Sequence, residues 1–291
     1  MDNPQFLGIG AARAGTTWLF KQLDRHPDVW MPRIKELHYF TRSTAYSGPS
    51  HLSTEGRLPR LIGCGPGPDK YRSHFIRALG SNILKPSMTK LRWDARYFFG
   101  TPGNAWYRSL FNDAGDKVAG EITPRYSVLT RWDIQKLRED FPGIRILYIM
   151  RDPVDRLWSH VRMIAGRRDA DGVVSARRCE RILSRTISGE ESQIVRRSDY
   201  AGALKRLAAA VPGGKLLIEV FEEMVSGEGL ARICDFLGIG RVAPCPAPVH
   251  AGQALAMSPD QRRRAAHWLA PQYEAAHAAL GRMPEAWGRK V

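Results

Sequence analysis

The chain has 291 residues, of which 43% are hydrophobic and 25% are charged. This composition is that of an ordinary globular protein, and the length suits one large α/β domain or two small ones. No apolar run approaches the roughly 20 residues that a membrane-spanning helix needs. The formal net charge of +15 favours an anionic ligand, which could be nucleic acid, an acidic membrane, a nucleotide, or a sulfated or phosphorylated compound.

The N-terminal residues carry no basic segment of the kind that opens a signal peptide. The four cysteines are scattered and form no CxxC pair or Cys/His cluster. We therefore expect free thiols, with neither a zinc site nor a disulfide framework. These features predict a cytoplasmic protein without a membrane span. Since no internal repeat or clear linker interrupts the chain, we expect a single domain over residues 1–291.

The hydrophobic pattern predicts alternating strands and helices. In chain order these are a strand at 6–9, a helix at 16–25, a strand at 117–123, a helix at 130–141, a strand at 145–150, helices at 153–168 and 198–210, a strand at 216–220, a helix at 230–237, and a long helix that begins after an N-cap at Ser258. Residues 42–68 are rich in Gly, Pro and Ser and predict a long loop. The alternation predicts an α/β fold with a P-loop-type central parallel sheet and helices on both faces.

The turn after the first strand has the glycine spacing of a phosphate-binding loop. Gly10 and Gly15 frame it, and the following helix would add its positive N-terminal end. An ATP-binding loop needs a lysine directly after the second glycine, where this chain has Thr16. The dinucleotide-binding pattern fails as well, because its third glycine would fall on Arg13. The loop therefore predicts a phosphate ligand other than ATP or a dinucleotide.

Residues 10–19, G-A-A-R-A-G-T-T-W-L, resemble the 5'-phosphosulfate loop of the sulfotransferases that use 3'-phosphoadenosine 5'-phosphosulfate (PAPS). The family pattern is approximately K-x-G-T-T-W, and this chain has Arg13 where the family usually has lysine. The resemblance implies that the loop holds the 5'-phosphosulfate and that Trp18 stacks on adenine, although a tryptophan on a helix is as often a core residue. The implied donor-binding residues of the loop are Arg13, Ala14, Gly15, Thr16, Thr17 and Trp18.

Residues 148–160, Y-I-M-R-D-P-V-D-R-L-W-S-H, resemble the 3'-phosphate motif of the same family, R-[DN]-P-x-[DE]-R-x-x-S. Arg151 ends a predicted buried strand and therefore faces the crevice where open α/β sheets bind ligands. Ser159 follows on the next helix, so both side chains can contact one phosphate. We expect Asp155 and Arg156 to pair with each other or with neighbouring structure.

Residues 35–40, K-E-L-H-Y-F, resemble the K-E-x-H-[FY]-F segment of the Golgi carbohydrate sulfotransferases and their bacterial relatives. The resemblance implies Glu36 as the general base, and His38 is the alternative. If the segment is extended, Glu36 and His38 share a face and Lys35 points the other way. Arg13 and Lys35 would neutralise charge on the leaving nucleotide, and we expect no metal ion.

Residues 120–126 resemble the family segment E-x-T-P-x-Y, which lines the acceptor side. We favour a different role for Glu121, as the partner of a basic residue. Residues 42–116 match no family element, and the resemblance implies that this excursion shapes the acceptor site. Residues 250–253 stand where a basic segment often closes over the 3'-phosphate, but they offer no clear basic ligand. The arginine pairs at 167–168 and 196–197 are interpreted as solvated helix faces.

The resemblance implies sulfuryl transfer from PAPS to a hydroxyl or amine of a small-molecule, carbohydrate, lipid or peptide acceptor. Three alternatives stay open. A P-loop kinase or NTPase would need a lysine at Thr16 and an acidic magnesium ligand near Arg151. A nucleic-acid-binding protein would need a recognition helix or interleaved surface aromatic residues, which the sequence lacks. A non-catalytic nucleotide-binding relative is the third.

Overall fold

The computed structural model describes residues 4–46, 50, 52–53, 57–245 and 255–288. Its centre is a sheet of parallel strands in the order β2-β3-β1-β4-β5, flanked by helices. The strands are β1 (Phe6–Gly10), β2 (Val29–Trp30), β3 (Val118–Ile122), β4 (Arg145–Met150) and β5 (Leu216–Val220). This architecture confirms the predicted α/β fold with a P-loop-type parallel sheet.

The described helices follow the strands in the alternation that the sequence predicts. They are α1 (Thr16–Asp24), α2 (Arg57–Ile62), α3 (Pro66–Leu84), α4 (Met88–Phe99), α5 (Asn104–Ser109), α6 (Arg131–Asp140), α7 (Pro153–Arg167), α8 (Ala176–Ile187), α9 (Ser192–Ser198), α10 (Tyr200–Ala210), α11 (Phe221–Ser226), α12 (Glu228–Leu237), α13 (Pro259–Trp268), α14 (Ala270–Leu280) and α15 (Glu285–Gly288). Two short 3₁₀ turns, Asn112–Ala114 and Pro124–Val128, lie on either side of β3.

Three predicted segments differ from the structure. The predicted loop at 42–68 contains α2 and the start of α3, and α2 to α5 fill much of the excursion at 42–116. The helix predicted at 198–210 is α10, but it begins only at Tyr200: Ser198 ends α9, and the Asp199 side chain accepts a hydrogen bond from Gly202 N–H and caps α10. The predicted long C-terminal helix also divides, into α13 and α14, at Leu269.

The centre of the sheet is buried on both faces. Every residue of β1 is buried, and so is β4 from Ile146 onward, which explains the continuous apolar run of that strand. Close approach of the strands also requires glycine, because a Cβ at Gly120 would overlap the Phe6 ring. Each helix within the described residues is too short or too polar to cross a lipid bilayer.

The sheet order places two loops side by side. β1 and β4 are hydrogen-bonded parallel neighbours, so their carboxyl ends lie at the same edge. The chain leaves β1 toward the β2 side and leaves β4 toward β5, which opens a crevice between the two departing connections. The loop after β1 and Arg151 after β4 therefore meet at the mouth of this crevice.

Candidate functional site

The turn after β1 curls directly into α1. Gly15 has φ +80°, and a Cβ at this position would overlap the Phe221 ring, so glycine is required for both conformation and space. α1 begins at Thr16, and the N–H groups of a first helical turn have no intrahelical acceptor. This turn therefore presents backbone donors and the positive end of a helix, which suits a phosphate or sulfate oxygen.

A cavity of about 520 Å³ opens at this edge of the sheet. Nine of the eleven sequence-predicted site residues line it: Arg13, Gly15, Thr16, Thr17, Trp18, Glu36, His38, Arg151 and Ser159. Ala14 and Lys35 do not line it. Ala14 is fully buried, and Lys35 Nζ instead donates to Glu36 Oε1 at 2.7 Å.

Two of the predicted anchors contact each other. Arg13 Nε donates a hydrogen bond of 3.0 Å to Ser159 Oγ, which joins the loop after β1 to the helix after β4. The Arg151 backbone is fixed nearby, since its N–H donates to Tyr200 Oη and its carbonyl accepts from the same hydroxyl. The Arg151 guanidinium lies 5.1 Å from the centre of the Phe221 ring. The two motifs therefore form one site.

The cavity is strongly positive. Its lining cations are Arg13, Lys70, Arg125, Arg151, Arg167 and Arg197, and Glu36 is the one carboxylate among its lining residues. Burial lowers the pKa of Arg13, and the nearby charges of Arg151 and Arg162 lower it further. Burial together with the surrounding arginines also lowers the pKa of His160 to about 2, so this histidine is neutral. Such an arrangement is stabilised by a ligand with several negative charges.

The segment at 35–40 is not an extended strand. Glu36 has φ +65° and His38 has φ +58°, both in the left-handed region that favours glycine. Glu36 and His38 do lie together, with His38 Nε2 3.5 Å from Glu36 Oε2. The condition for the predicted alternation, an extended segment, is not met, and the turns bring the Lys35 ammonium onto Glu36.

Glu121 holds this segment in place. Its side chain is fully buried at the end of β3 and accepts a hydrogen bond of 3.2 Å from Leu37 N–H. The remaining donors to its carboxyl group are the hydroxyls of Tyr107, Thr123 and Tyr126. The favoured sequence hypothesis, that Glu121 partners a basic residue, is therefore wrong. Burial raises the pKa of Glu121, and these hydrogen bonds oppose that rise.

Glu36 and His38 differ in protonation. Burial favours a raised pKa for Glu36, but the hydrogen bond from His38 and the charge of Lys35 outweigh it and hold the pKa well below 4.5. Burial lowers the pKa of His38 below 6.5, opposed by its hydrogen bond with Glu36. Lys70 Nζ lies 3.2 Å from His38 Nε2. At neutral pH the pair therefore consists of a carboxylate and a neutral imidazole.

Several lining residues were missed by the sequence interpretation. Arg167 and Arg197 belong to arginine pairs that were interpreted as solvated helix faces, yet both line the cavity. Only Arg168 of the first pair behaves as a surface residue, in a bidentate ion pair with Glu191. Lys70 comes from the excursion, where no motif marks it. Periodicity could have identified Arg167, because it lies on α7 two turns after the predicted Ser159.

Asp155 and Arg156 do not pair with each other. Asp155 Oδ1 accepts a hydrogen bond of 3.0 Å from Arg262 on α13. Arg156 is fully buried and donates to the hydroxyl of Ser198. Both contacts join α7 to neighbouring structure, which is the second of the two predicted outcomes. Residues 250–253, where the resemblance places a segment that closes over the 3'-phosphate, lie outside the described residues.

A family model described as the sulfotransferase family matches residues 4–243. The chain belongs to the sulfotransferase family. This membership supports sulfuryl transfer, which the family carries out from a sulfuryl donor, over the kinase and nucleic-acid-binding alternatives. The matched range, residues 4–243, includes the loop after β1, the segment at 35–40 and the motif after β4.

Solved structures agree with this fold. The crystal structure of a sulfotransferase from Alicyclobacillus acidocaldarius aligns with a TM-score of 0.65 at 21% identity and covers 99% of this chain and 100% of its own. The sulfotransferase domain of the Synechococcus PCC 7002 olefin synthase aligns with a TM-score of 0.48 at 21% identity, over 81% of this chain and 74% of its own. No curated protein matches the chain. The Alicyclobacillus acidocaldarius structure therefore shares the overall fold of this chain.

The left-handed conformation of His38 predicts an unusual order of stability. We expect the free energy of unfolding of His38→Gly to be about 1 kcal/mol higher than that of His38→Ala. The reason is that the left-handed backbone conformation costs a residue with a Cβ roughly 1–2 kcal/mol. Urea denaturation of both variants measures this difference. Ala95→Gly on the exposed face of α4 is the control and should destabilise by about 1 kcal/mol. An alanine variant at 38 as stable as the glycine variant would contradict the strain.

Proposed function

We propose that this sulfotransferase transfers a sulfuryl group from PAPS to a hydroxyl or amine of its acceptor. The observation that carries the proposal is that Arg151 lines the same cavity of about 520 Å³ as Arg13 and Ser159, which are hydrogen-bonded to each other. PAPS has negative groups at both its 5' and 3' positions, and each motif offers cations and hydroxyls to one of them. A nucleotide with a single phosphate would leave one of these anchors unused.

The described residues fit such a donor. We assign the 5'-phosphosulfate to Arg13 and the backbone of Ala14, Gly15, Thr16 and Thr17, and the 3'-phosphate to Arg151 and Ser159. Within the described part of the chain, the buried Arg151 Nε has no hydrogen-bond partner, which supports a missing acceptor at this place. Trp18 also lines the cavity, although most of its ring is buried in the core, and its exposed part would contact adenine.

Arg13 takes the position at which the family usually has lysine. Its planar guanidinium has several donors, so it can hold Ser159 through Nε and still direct other N–H groups toward the donor. PAPS supplies an activated sulfuryl group whose transfer leaves negative charge on the nucleotide. Arg13 would stabilise that charge, because it is fixed before the reaction and lies in a partly desolvated site. Lys35 would act indirectly, through its contact with Glu36.

We propose Glu36 as the general base, with His38 as the second candidate. Glu36 lines the cavity and is ionised at neutral pH, but its lowered pKa weakens it as a base. His38 is neutral and therefore also able to accept a proton.

Lys70, which belongs to the segment at 42–116, lies 3.2 Å from His38 Nε2. This contact supports the proposal that residues 42–116 shape the acceptor side of one domain spanning residues 1–291.

The two-anchor assignment predicts a preference among nucleotides. We expect adenosine 3',5'-bisphosphate to bind about 10- to 100-fold more tightly than 5'-AMP, because each charge-assisted hydrogen bond contributes roughly 1.5–3 kcal/mol. Arg151→Gln should remove most of this preference in isothermal titration calorimetry. Arg177→Gln, an exposed change on α8 that is outside the cavity, should retain it. Equal affinity for the two nucleotides in the unmodified protein would contradict the role of Arg151.

The base assignment predicts separable effects on binding and turnover. Glu36→Gln should bind adenosine 3',5'-bisphosphate within about twofold of the unmodified protein and lose about 10²- to 10⁴-fold in transfer rate. His38→Gln should lose less. Transfer is measured by mass spectrometry across an acceptor panel. A Glu36→Gln variant that retains turnover, beside an inactive His38→Gln variant, would move the base to His38.

The pH profile gives an independent measurement of the base. A base works only when deprotonated, so kcat/KM falls as the pH drops through its pKa. With Glu36 as the base, the lowered pKa places this fall below pH 4.5. With His38 as the base, the fall lies below pH 6.5 and disappears in His38→Gln. A fall centred above pH 6.5 would contradict both assignments.

A further inference from the structure

A second cavity, of about 380 Å³, lies beside the first. The two share Arg125, Gln193 and Arg197 in their walls, so they are adjacent. None of the residues assigned to the donor lines the second cavity. Its other walls come from residues 45–46, from the start of α6, and from α9 and α10. The second cavity therefore extends the site away from the donor.

Five arginines line this second cavity. They are Arg125, Arg131, Arg196, Arg197 and Arg206. Asp199 is the one acidic residue among its lining residues, and its carboxylate is already occupied, since it accepts from Gly202 N–H and lies 3.7 Å from Arg206 Nη1. Among the lining residues of the second cavity, five arginines therefore accompany a single carboxylate.

The structure holds some of these cations in fixed positions. Arg125 Nη2 donates to the carbonyl of Tyr46 at 3.1 Å, and Arg206 Nη2 donates to the carbonyl of Ser127 at 3.0 Å. Carbonyl acceptors orient a guanidinium without removing its charge. Burial lowers the pKa of Arg125, and the charge of Arg197 lowers it further. Burial also lowers the pKa of Arg197, followed by the charge of Arg167.

The charged walls reach the proposed base. The charge of Arg125 acts on His38, and the charge of Glu36 acts on Arg197. A molecule that occupies both cavities would therefore have one end near Glu36 and His38 and the other among the arginines. Keeping like charges close in a concave site is unfavourable, and an anionic ligand offsets this cost.

We propose that the second cavity binds an anionic group of the acceptor, either a carboxylate or a sulfate or phosphate ester, while the hydroxyl or amine that receives the sulfuryl group lies beside Glu36 and His38. This inference rests on the proposed function and narrows its acceptor class to molecules that are negatively charged before transfer. Arg131 and Arg197 are the residues to test, because no hydrogen bond or ion pair engages either side chain within the described residues.

The test is a second anion titration on protein already saturated with adenosine 3',5'-bisphosphate. Inorganic pyrophosphate and malonate are titrated separately by calorimetry, as probes for phosphate-type and carboxylate-type groups. We expect one further equivalent of at least one probe to bind, and the tighter probe identifies the anion type. Arg131→Gln and Arg197→Gln should each weaken this binding about 10-fold, whereas Arg177→Gln on α8 should leave it unchanged.

Thermal unfolding of each variant first establishes that it is folded. Absence of binding by both probes would overturn the inference. An equal loss of probe affinity in all three arginine variants would also overturn it, because it would indicate only the general electrostatic field of a basic protein. The nucleotide titration in the same protein separates the two levels of the proposal. Failure of adenosine 3',5'-bisphosphate to bind removes the proposed function, and this inference with it. Nucleotide binding without a second anion removes this inference alone.

Discussion

The site depends on the contact between Arg13 and Ser159, which ties the loop after β1 to the helix after β4. The parallel pairing of these two strands brings their carboxyl ends together, so the contact follows from sheet order rather than from sequence proximity. It also concentrates positive charge where the first cavity opens. Such a concentration is unfavourable in isolation, and the proposed nucleotide, with negative groups at its 5' and 3' positions, would offset it.

Backbone strain is located at the same site. Arg13, Glu36 and His38 are the non-glycine residues with positive φ in the described part of the chain, and all three are candidates for the chemistry. Strained conformations persist where surrounding structure determines them. For the Glu36–His38 segment, that support comes from the buried carboxyl group of Glu121, which accepts the N–H of the residue between them. The rigidity of the β3 end therefore fixes the geometry of the proposed base.

The sequence predicted four of the five strands and the two segments that meet at the first cavity, because buried parallel strands leave apolar runs and phosphate loops leave glycine spacings. It did not predict the turned conformation at Glu36 and His38, since a positive φ on these residue types has no local signal. It also misjudged Glu121, whose partners come from distant segments. Arg197 shows the same limit, because an arginine on a cavity wall and one on a solvated face have the same pattern along a short helix.

The central claim is that one nucleotide bridges the two motifs, and a crystal structure of the protein with adenosine 3',5'-bisphosphate tests it most directly. The account predicts the 5'-phosphate at the N–H groups of Gly15 and Thr16 and the 3'-phosphate within hydrogen-bond distance of Arg151 and Ser159. Density for the nucleotide with its 3'-phosphate in solvent, or bound outside the crevice between β1 and β4, would contradict it.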